Sequence, residues 1–393
     1  MTYSTGLKDV VAAETRLSHV DGEAGVLVIG GYPLEEIAER ATYEEMVHLL
    51  WHGALPTEAA LDGFTSELAA SRPLSGVTHD LLRGAAKERR PVIDVVRMAA
   101  ASLPSIDDTA DARSLVAGLP TMVAAYWRLL HGKEPVAPEA SLGHAANLLY
   151  MLDGEIPGDD RVRALTTYLN TVIDHGMNAS TFTARVIVST RSDFVSAVSG
   201  AIGALKGPLH GGAPGPVISM LEAIGDADNA ESYLRAILES GERLMGFGHA
   251  VYRVRDPRAD VLSRAARTFL DRDDDGKDDD KDDDRDDDGQ VDYGHDGHDD
   301  LYALAVHVEK TALELLEEYK PGRRLQTNVE FYTALLLKGL GLHPDLFTPM
   351  FAVGRVAGWT AHCIEQQAVD RIFRPDSHYS GEMTRRWTPV DNR

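Results

Sequence analysis

A single cysteine, Cys363, in 393 residues excludes an intrachain disulfide framework and a cysteine-based zinc site. It falls in a helical apolar pattern and reads as core packing, not as a nucleophile. No run of roughly eighteen uncharged apolar residues occurs, and the N-terminus lacks a basic region followed by an apolar stretch. Neither a membrane span nor a secretory signal is therefore expected. No G-x-G-x-x-G follows a strand pattern, no phosphate loop is present, and no segment repeats at a fixed period. Lysine is scarce, at nine residues against thirty arginines, and the net charge is −23. That balance argues against nucleic acid and anionic membranes as partners.

Much of the acidity is local. Residues 271–300 hold seventeen aspartates and four basic residues, −13 of the total, which leaves −10 for the rest. Acid excess with few lysines over the whole chain suggests a halophilic cytoplasm, where hydrated carboxylates keep a protein soluble and salt screens their repulsion. The run spells DRDDDG twice, at Asp271 to Gly276 and Asp284 to Gly289, like the opening of a calcium loop. The twelfth position carries Asp282 and His295 where glutamate is required, so a solvated, disordered insertion is the reading. His295 and His298 suggest at most a loose metal contact; no metal site is expected.

The 44% apolar content suffices for a large core and more than one domain. Segments such as YEEMVHLLWHG, LPTMVAAYWRLLHG, HAANLLYML, SDFVSAVSGAIGAL, LYALAVHVEKTALELLEEY and YTALLLKGL space apolar residues at three and four, which predicts helices. Only TRLSHVDGEAGVLVIGGYPL alternates, around Asp21 and Gly22, and predicts a short hairpin.

Three residues stand out as chemistry. His210 in GPLHGGA and His249 in GFGHAVYRVRDPR sit in glycine frames, where backbone and imidazole can both close on a small ligand. Glu330 in TNVEFY follows as a carboxylate. A carboxylate can take a proton next to a carbonyl while a neutral imidazole stabilises the oxygen and a second imidazole polarises an electrophile. That set suits carbon–carbon bond formation. Any carboxylate on the ligand is held best by planar charged forks, which arginine supplies and lysine does not.

In these frames, and in DHGMNASTFTARV, FTPMFAVGRVAGWTAHCIEQ and RP-x-x-x-Y-x-G, the chain resembles the citrate synthases. The resemblance runs from GLKDVVAAETRLSHVDGEAG to RPDSHYSGE, broken only by the acidic insertion. It implies an all-α fold with a short N-terminal hairpin: a large domain of 1–212 and 326–393, and a small domain of 213–325 that carries the insertion. It implies condensation of acetyl-CoA with oxaloacetate and water to citrate and coenzyme A, with no metal or prosthetic group. His210 would stabilise the thioester enol, Glu330 would take the methyl proton, and His249 would polarise the ketone. His175, Arg258 and Arg355 would hold substrate carboxylates, and Arg253 a coenzyme phosphate. Arg374 would reach across a homodimer interface into the partner's site.

Two positions depart from the family pattern. Glu330 stands where aspartate is usual, and Asp376 stands where a second arginine commonly follows Arg374. One added methylene moves the carboxylate by about 1.5 Å unless the backbone shifts, and an error of about 1 Å can cost about a hundredfold in rate. Arg323 and Arg324 read first as plain surface charge and second as further coenzyme phosphate contacts. A 2-methylcitrate synthase using propionyl-CoA shares every catalytic residue, and a non-catalytic paralogue binding coenzyme A or a dicarboxylate is the alternative of another class.

Overall fold

The computed structural model describes residues 4–7, 10–211, 214–249, 251–270 and 298–393. Among them the fold is mostly helical, as the periodicities predict. The exception is a three-stranded antiparallel sheet near the N-terminus. Strands β1 (Ser18–Asp21) and β2 (Val26–Ile29) form the predicted hairpin, with His19 opposite Val28, and a two-residue strand β3 (Tyr32–Pro33) adds to its edge. The hairpin turn packs tightly on the chain after His249: a Cβ on Gly22 would lie 2.3 Å from the Val251 carbonyl oxygen. The Gly22 carbonyl accepts the Arg253 backbone N–H at 2.8 Å.

Helices α1 (Leu34–Ile37) to α10 (Phe194–Leu205) make the first half of the chain. Helix α2 (Tyr43–His52) begins with a complete capping box between Thr42 and Glu45 and ends at Gly53 with φ 78°. Helix α6 (Asp108–Leu130) differs from expectation, because it starts well before the LPTMVAAYWRLLHG segment and runs through Pro120. A proline inside a helix removes one backbone bond and costs about 3 kcal/mol. Here all residues from Leu115 to Tyr126 are buried, so packing on every side offsets that loss.

Helices α11 (Pro214–Ile224), α12 (Ala230–Glu239), α13 (Pro257–Leu270) and α14 (His298–Tyr319) follow. The acidic residues 271–297 lie outside the described residues, together with both calcium-loop matches and His295; the flanking helices end at Leu270 and begin at His298. Helix α15 (Val329–Gly339) is capped by Asn328, whose side chain accepts the Glu330 N–H at 3.2 Å.

Helix α16 (Phe347–Val369) is buried on nearly every face and organises the large body of the fold. Two glycines four residues apart let it approach helix α8 (Asp159–Val172) and the residues after it. A Cβ on Gly354 would lie 2.5 Å from Val172 Cγ2, and one on Gly358 would lie 2.2 Å from the Ile173 carbonyl oxygen. Cys363 is fully buried on this helix, in the core role expected of it. Among the described residues no helix is long and apolar enough to cross a membrane.

Candidate active site

Most of the residues singled out by sequence converge on one cleft of about 840 Å³. Its walls include His175, His210, His249, Arg258, Glu330 and Arg355. Arg253 and Arg374 are not among its lining residues. Arg253 is exposed, with its guanidinium donating to the His249 carbonyl at 3.4 Å, and Arg374 is exposed on the chain after α16.

The glycine frames have a geometric cause. Gly246 and Gly248 both sit at φ 85°, a left-handed conformation that disfavours side chains, and a Cβ on Gly246 would lie 2.7 Å from the Phe331 ring. Their backbone pairs with the chain entering α15: Gly248 N–H donates to Gln326 at 2.7 Å and Asn328 N–H donates to Gly246 at 3.0 Å. This short antiparallel ladder ties the His249 segment to the start of the helix that carries Glu330. Gly211, next to His210, folds back on α10, where a Cβ would lie 2.5 Å from Leu205 Cδ1.

Hydrogen bonds assign the proton of His249. Its Nδ1 accepts the backbone N–H groups of Val251 at 3.0 Å and Tyr252 at 3.1 Å. The neutral ring therefore carries its proton on Nε2. Arg258 Nη2 lies 3.4 Å from that Nε2. Two donors cannot satisfy each other, so both are available to one oxygen placed between them.

His210 Nε2 lies 2.8 Å from Ser180 Oγ, and that hydroxyl also accepts Trp359 Nε1–H at 3.1 Å and donates to Asn178 Oδ1 at 2.8 Å. The hydroxyl has one proton. Turned to Asn178, it leaves His210 Nε2 to donate; turned to His210, it leaves the proton of a neutral ring on Nδ1. His175 Nε2 lies 3.1 Å from Tyr252 Oη, and its ring meets that of His249 edge-on at 5.6 Å between centroids.

All three imidazoles are held neutral. Burial, then the Arg355 and Arg258 charges, pull His210 down to about 4. Burial, then Arg258, does the same for His249, to about 4, and His175 is pushed well below its ordinary value by burial and the same arginines. Burial pushes the Glu330 carboxyl up, opposed by the Arg258 charge, and its Oε2 is enclosed with no hydrogen-bond partner. A carboxylate so placed is a stronger base than one in water.

Two guanidiniums sit almost fully out of solvent, Arg258 at 3% and Arg355 at 1% exposure. Arg258 is braced by Asp256 through Nε at 3.0 Å and Nη2 at 2.7 Å. Arg355 donates Nε–H to the Val172 carbonyl at 2.5 Å, stacks over Phe351 at 4.8 Å, and keeps Nη2 without a partner. Burial and Arg258 lower it to about 10, so it remains charged near neutrality. The arrangement can fix a dianion, polarise a carbonyl and remove a nearby proton.

Sequence reasoning missed Asp256, Ser180, Trp359 and Tyr252. The aspartate of DPR was the available signal for the first. Among the described residues no group of three or more His, Cys, Asp or Glu could hold a metal ion.

The family described as "Citrate synthase, C-terminal domain" matches residues 6–376. A citrate synthase from Haloferax volcanii is 39% identical, with 99% of this chain and 98% of that protein covered. A 2-methylcitrate synthase from Mycobacterium tuberculosis is 38% identical over 97% of this chain and 91% of its own length. The crystal structure of citrate synthase from Thermotoga maritima superposes with a TM-score of 0.85 at 33% identity, covering 100% of this chain and 99% of that one. A ternary complex of the Thermoplasma acidophilum citrate synthase with carboxymethyl coenzyme A and oxaloacetate gives 0.86 at 27% identity, covering 99% of each chain. With a mostly helical fold, a matching family over nearly its whole length and a cleft of neutral histidines, arginines and an unpaired carboxylate, the chain belongs to the citrate synthase family and is an acyltransferase of that type.

Proposed function

We propose that this cleft condenses acetyl-CoA with oxaloacetate, and that Glu330, His210 and His249 divide the chemistry. The observation that carries the reading is the donor pair of His249 Nε2–H and Arg258 Nη2 in one cleft with the unpaired Glu330 Oε2. Oxaloacetate lies with its ketone oxygen on His249 and its carboxylates on Arg258, Arg355 and His175. Glu330 removes the methyl proton of the thioester, and His210, once the Ser180 hydroxyl turns its proton from Asn178 to the His210 Nε2, donates from Nδ1 to the enol oxygen. The enol carbon attacks the polarised ketone, and water then hydrolyses the citryl thioester. Acid, base and orientation all come from side chains, so no step is routed through a metal or prosthetic group.

Coenzyme A reaches the same cleft along a wall that carries Arg243, Lys320 and Arg323 for its phosphates and Leu244, Leu316 and Leu325 for its apolar arm. Arg253 remains a phosphate contact in this reading once the small domain, 213–325, closes on the large one. A homodimer is favoured by the C-terminal arm: residues 371–393 are exposed except for half-buried Phe373, and they present Tyr379, Met383 and Trp387 to solvent. A second copy would cover that arm and receive Arg374. The cytoplasm is the compartment proposed, and the acidic surface suits one of high salt.

The test is coenzyme A release with oxaloacetate, comparing acetyl-CoA and propionyl-CoA in high-potassium buffer. The expected result is a higher kcat/KM for acetyl-CoA. One methylene in an acyl pocket discriminates by about 10- to 200-fold. A preference for propionyl-CoA would reassign the chain to 2-methylcitrate formation, and no release with either donor would favour the non-catalytic reading.

The pH profile has a defined sign. The base works only when ionised, so activity falls as pH drops through the Glu330 pKa, which burial raises above 4.5. The acid limb of kcat/KM is therefore expected above the ordinary carboxylate value. His210 and His249, held at about 4, stay neutral across it. Their contribution to folding stability has its own window. It is fully present above the unfolded histidine value of 6.5 and is lost as pH falls through about 4. Denaturant titrations between those limits check it.

A further inference from the structure

We infer that Asp174, held by His362 of α16 on one side and by Ser18 of β1 on the other, is a positioning residue for the dicarboxylate substrate, acting through His175 and Arg355. The inference rests on the proposed reaction and adds residues outside the cleft to it.

Asp174 is fully buried, and each of its oxygens has a built partner. His362 Nδ1 lies 3.0 Å from Arg185 Nη1, a group that can only donate, so the His362 proton is on Nε2 and is given to Asp174 Oδ1 at 3.1 Å. Arg185 is itself fixed by Glu365 at 2.5 Å and Gln366 at 3.0 Å. On the other side, Ser18 Oγ donates to Asp174 Oδ2 at 2.5 Å and accepts the Gly176 N–H at 2.8 Å. One hydroxyl thus clamps the residues immediately before and after His175. Gly176 turns the chain with φ 57°, and the His175 ring meets Tyr252 and His249.

The second effect is electrostatic. Arg355 is paired to no carboxylate, yet it must stay charged in a buried site beside Arg258. Asp174 is the strongest opposing influence on it and makes no ion pair that would occupy its fork. Burial works against ionisation of Asp174 itself and is outweighed by His362, Arg355 and Ser18, which keep its carboxyl below the ordinary value. Strand β1 completes the geometry. Ser18 reaches the His175 segment, Val20 lines the cleft, and Gly22 takes the Arg253 N–H just beyond His249. The hairpin spans both histidine segments that would face the dicarboxylate.

The experiment measures oxaloacetate affinity by calorimetry, and KM for both substrates, in the parent, Asp174→Asn, Ser18→Ala and Ser18→Thr. Asp174→Asn is expected to weaken oxaloacetate by about tenfold or more, and Ser18→Ala by about fivefold, the scale of lost charged and neutral hydrogen bonds. Ser18→Thr, which keeps the hydroxyl, should restore most of the affinity. KM for acetyl-CoA should stay within about twofold, since a positioning effect confined to His175 and Arg355 does not reach the coenzyme wall. Unchanged oxaloacetate affinity in the variants, or equal weakening of both substrates, overturns the inference. Should Asp174→Asn fail to fold, the part-buried Ser18→Ala decides alone. A parent that neither binds nor consumes oxaloacetate would instead defeat the proposed reaction, and this inference with it.

Discussion

Replacing Glu330 by glutamine is expected to lower kcat by about a thousandfold, within the usual contribution of a general base. The amide has the same shape, so the Asn328 cap and the start of α15 should persist and the thermal midpoint should move little. Oxaloacetate should bind at least as well, because a negative charge is removed near Arg258 and Arg355, both of which act on this carboxyl. Turnover close to that of the parent would show that another group takes the proton. Glu330→Asp separates identity from reach: it keeps the charge but withdraws the carboxylate by about 1.5 Å, and about a hundredfold loss is expected if the backbone is built for the longer side chain. Stopped-flow single turnovers, compared with steady-state rates, distinguish slower enolisation from slower product release.

Gly358→Ala should be the most destabilising single methyl that can be added to α16. The new Cβ would lie 2.2 Å from the Ile173 carbonyl oxygen and 3.0 Å from Asp174 Oδ1. The first contact is backbone, so relief requires helix and loop to separate. Overpacking of this kind costs about 3 kcal/mol. The same displacement would move Asp174 and raise KM for oxaloacetate, which joins a stability defect to a binding defect at one position. Gly63 in α3 (Glu58–Ala70) is the control: nothing lies within 4 Å of its Cβ direction. Alanine there should stabilise by about 0.8 kcal/mol, the helix-propensity difference. Equal effects at the two glycines, measured by chemical denaturation, would mean that the α16 contact relaxes freely.

The sequence exposes those parts of the site that depend on local pattern. Glycine frames around His210 and His249 are visible because left-handed backbone and close approach demand glycine, and Gly246, Gly248 and Gly211 have those causes. The hairpin shows as alternation, and most helices show as three-four spacing. What stays hidden is long-range pairing. Nothing local in Ser180 announces that Trp359 donates to it across 179 residues, and nothing in His362 points to Asp174, 188 residues away. The extension of helix α6 before the LPTMVAAYWRLLHG segment is hidden for a related reason, since Pro120 argues locally for a boundary while burial on all sides keeps the helix intact. Arg253 and Arg374 were drawn from frame matching alone, and one chain by itself leaves both outside the cleft.

Helix α13 has a further consequence. It begins at Pro257, with Arg258 on the cleft wall, and ends at Leu270, the last described residue before the acidic segment. Twelve residues of helical rise separate Arg258 from that exit by about 18 Å. At physiological ionic strength the screening length is about 8 Å, so an exposed charge at the Leu270 end of the helix acts on Arg258 only weakly through solvent. The helix thus works as a spacer, with one end on the cleft wall and the other at the point where the described residues stop. A change confined to the Leu270 end can therefore leave the cleft end of this helix, and the Arg258–Asp256 pairing there, as it is.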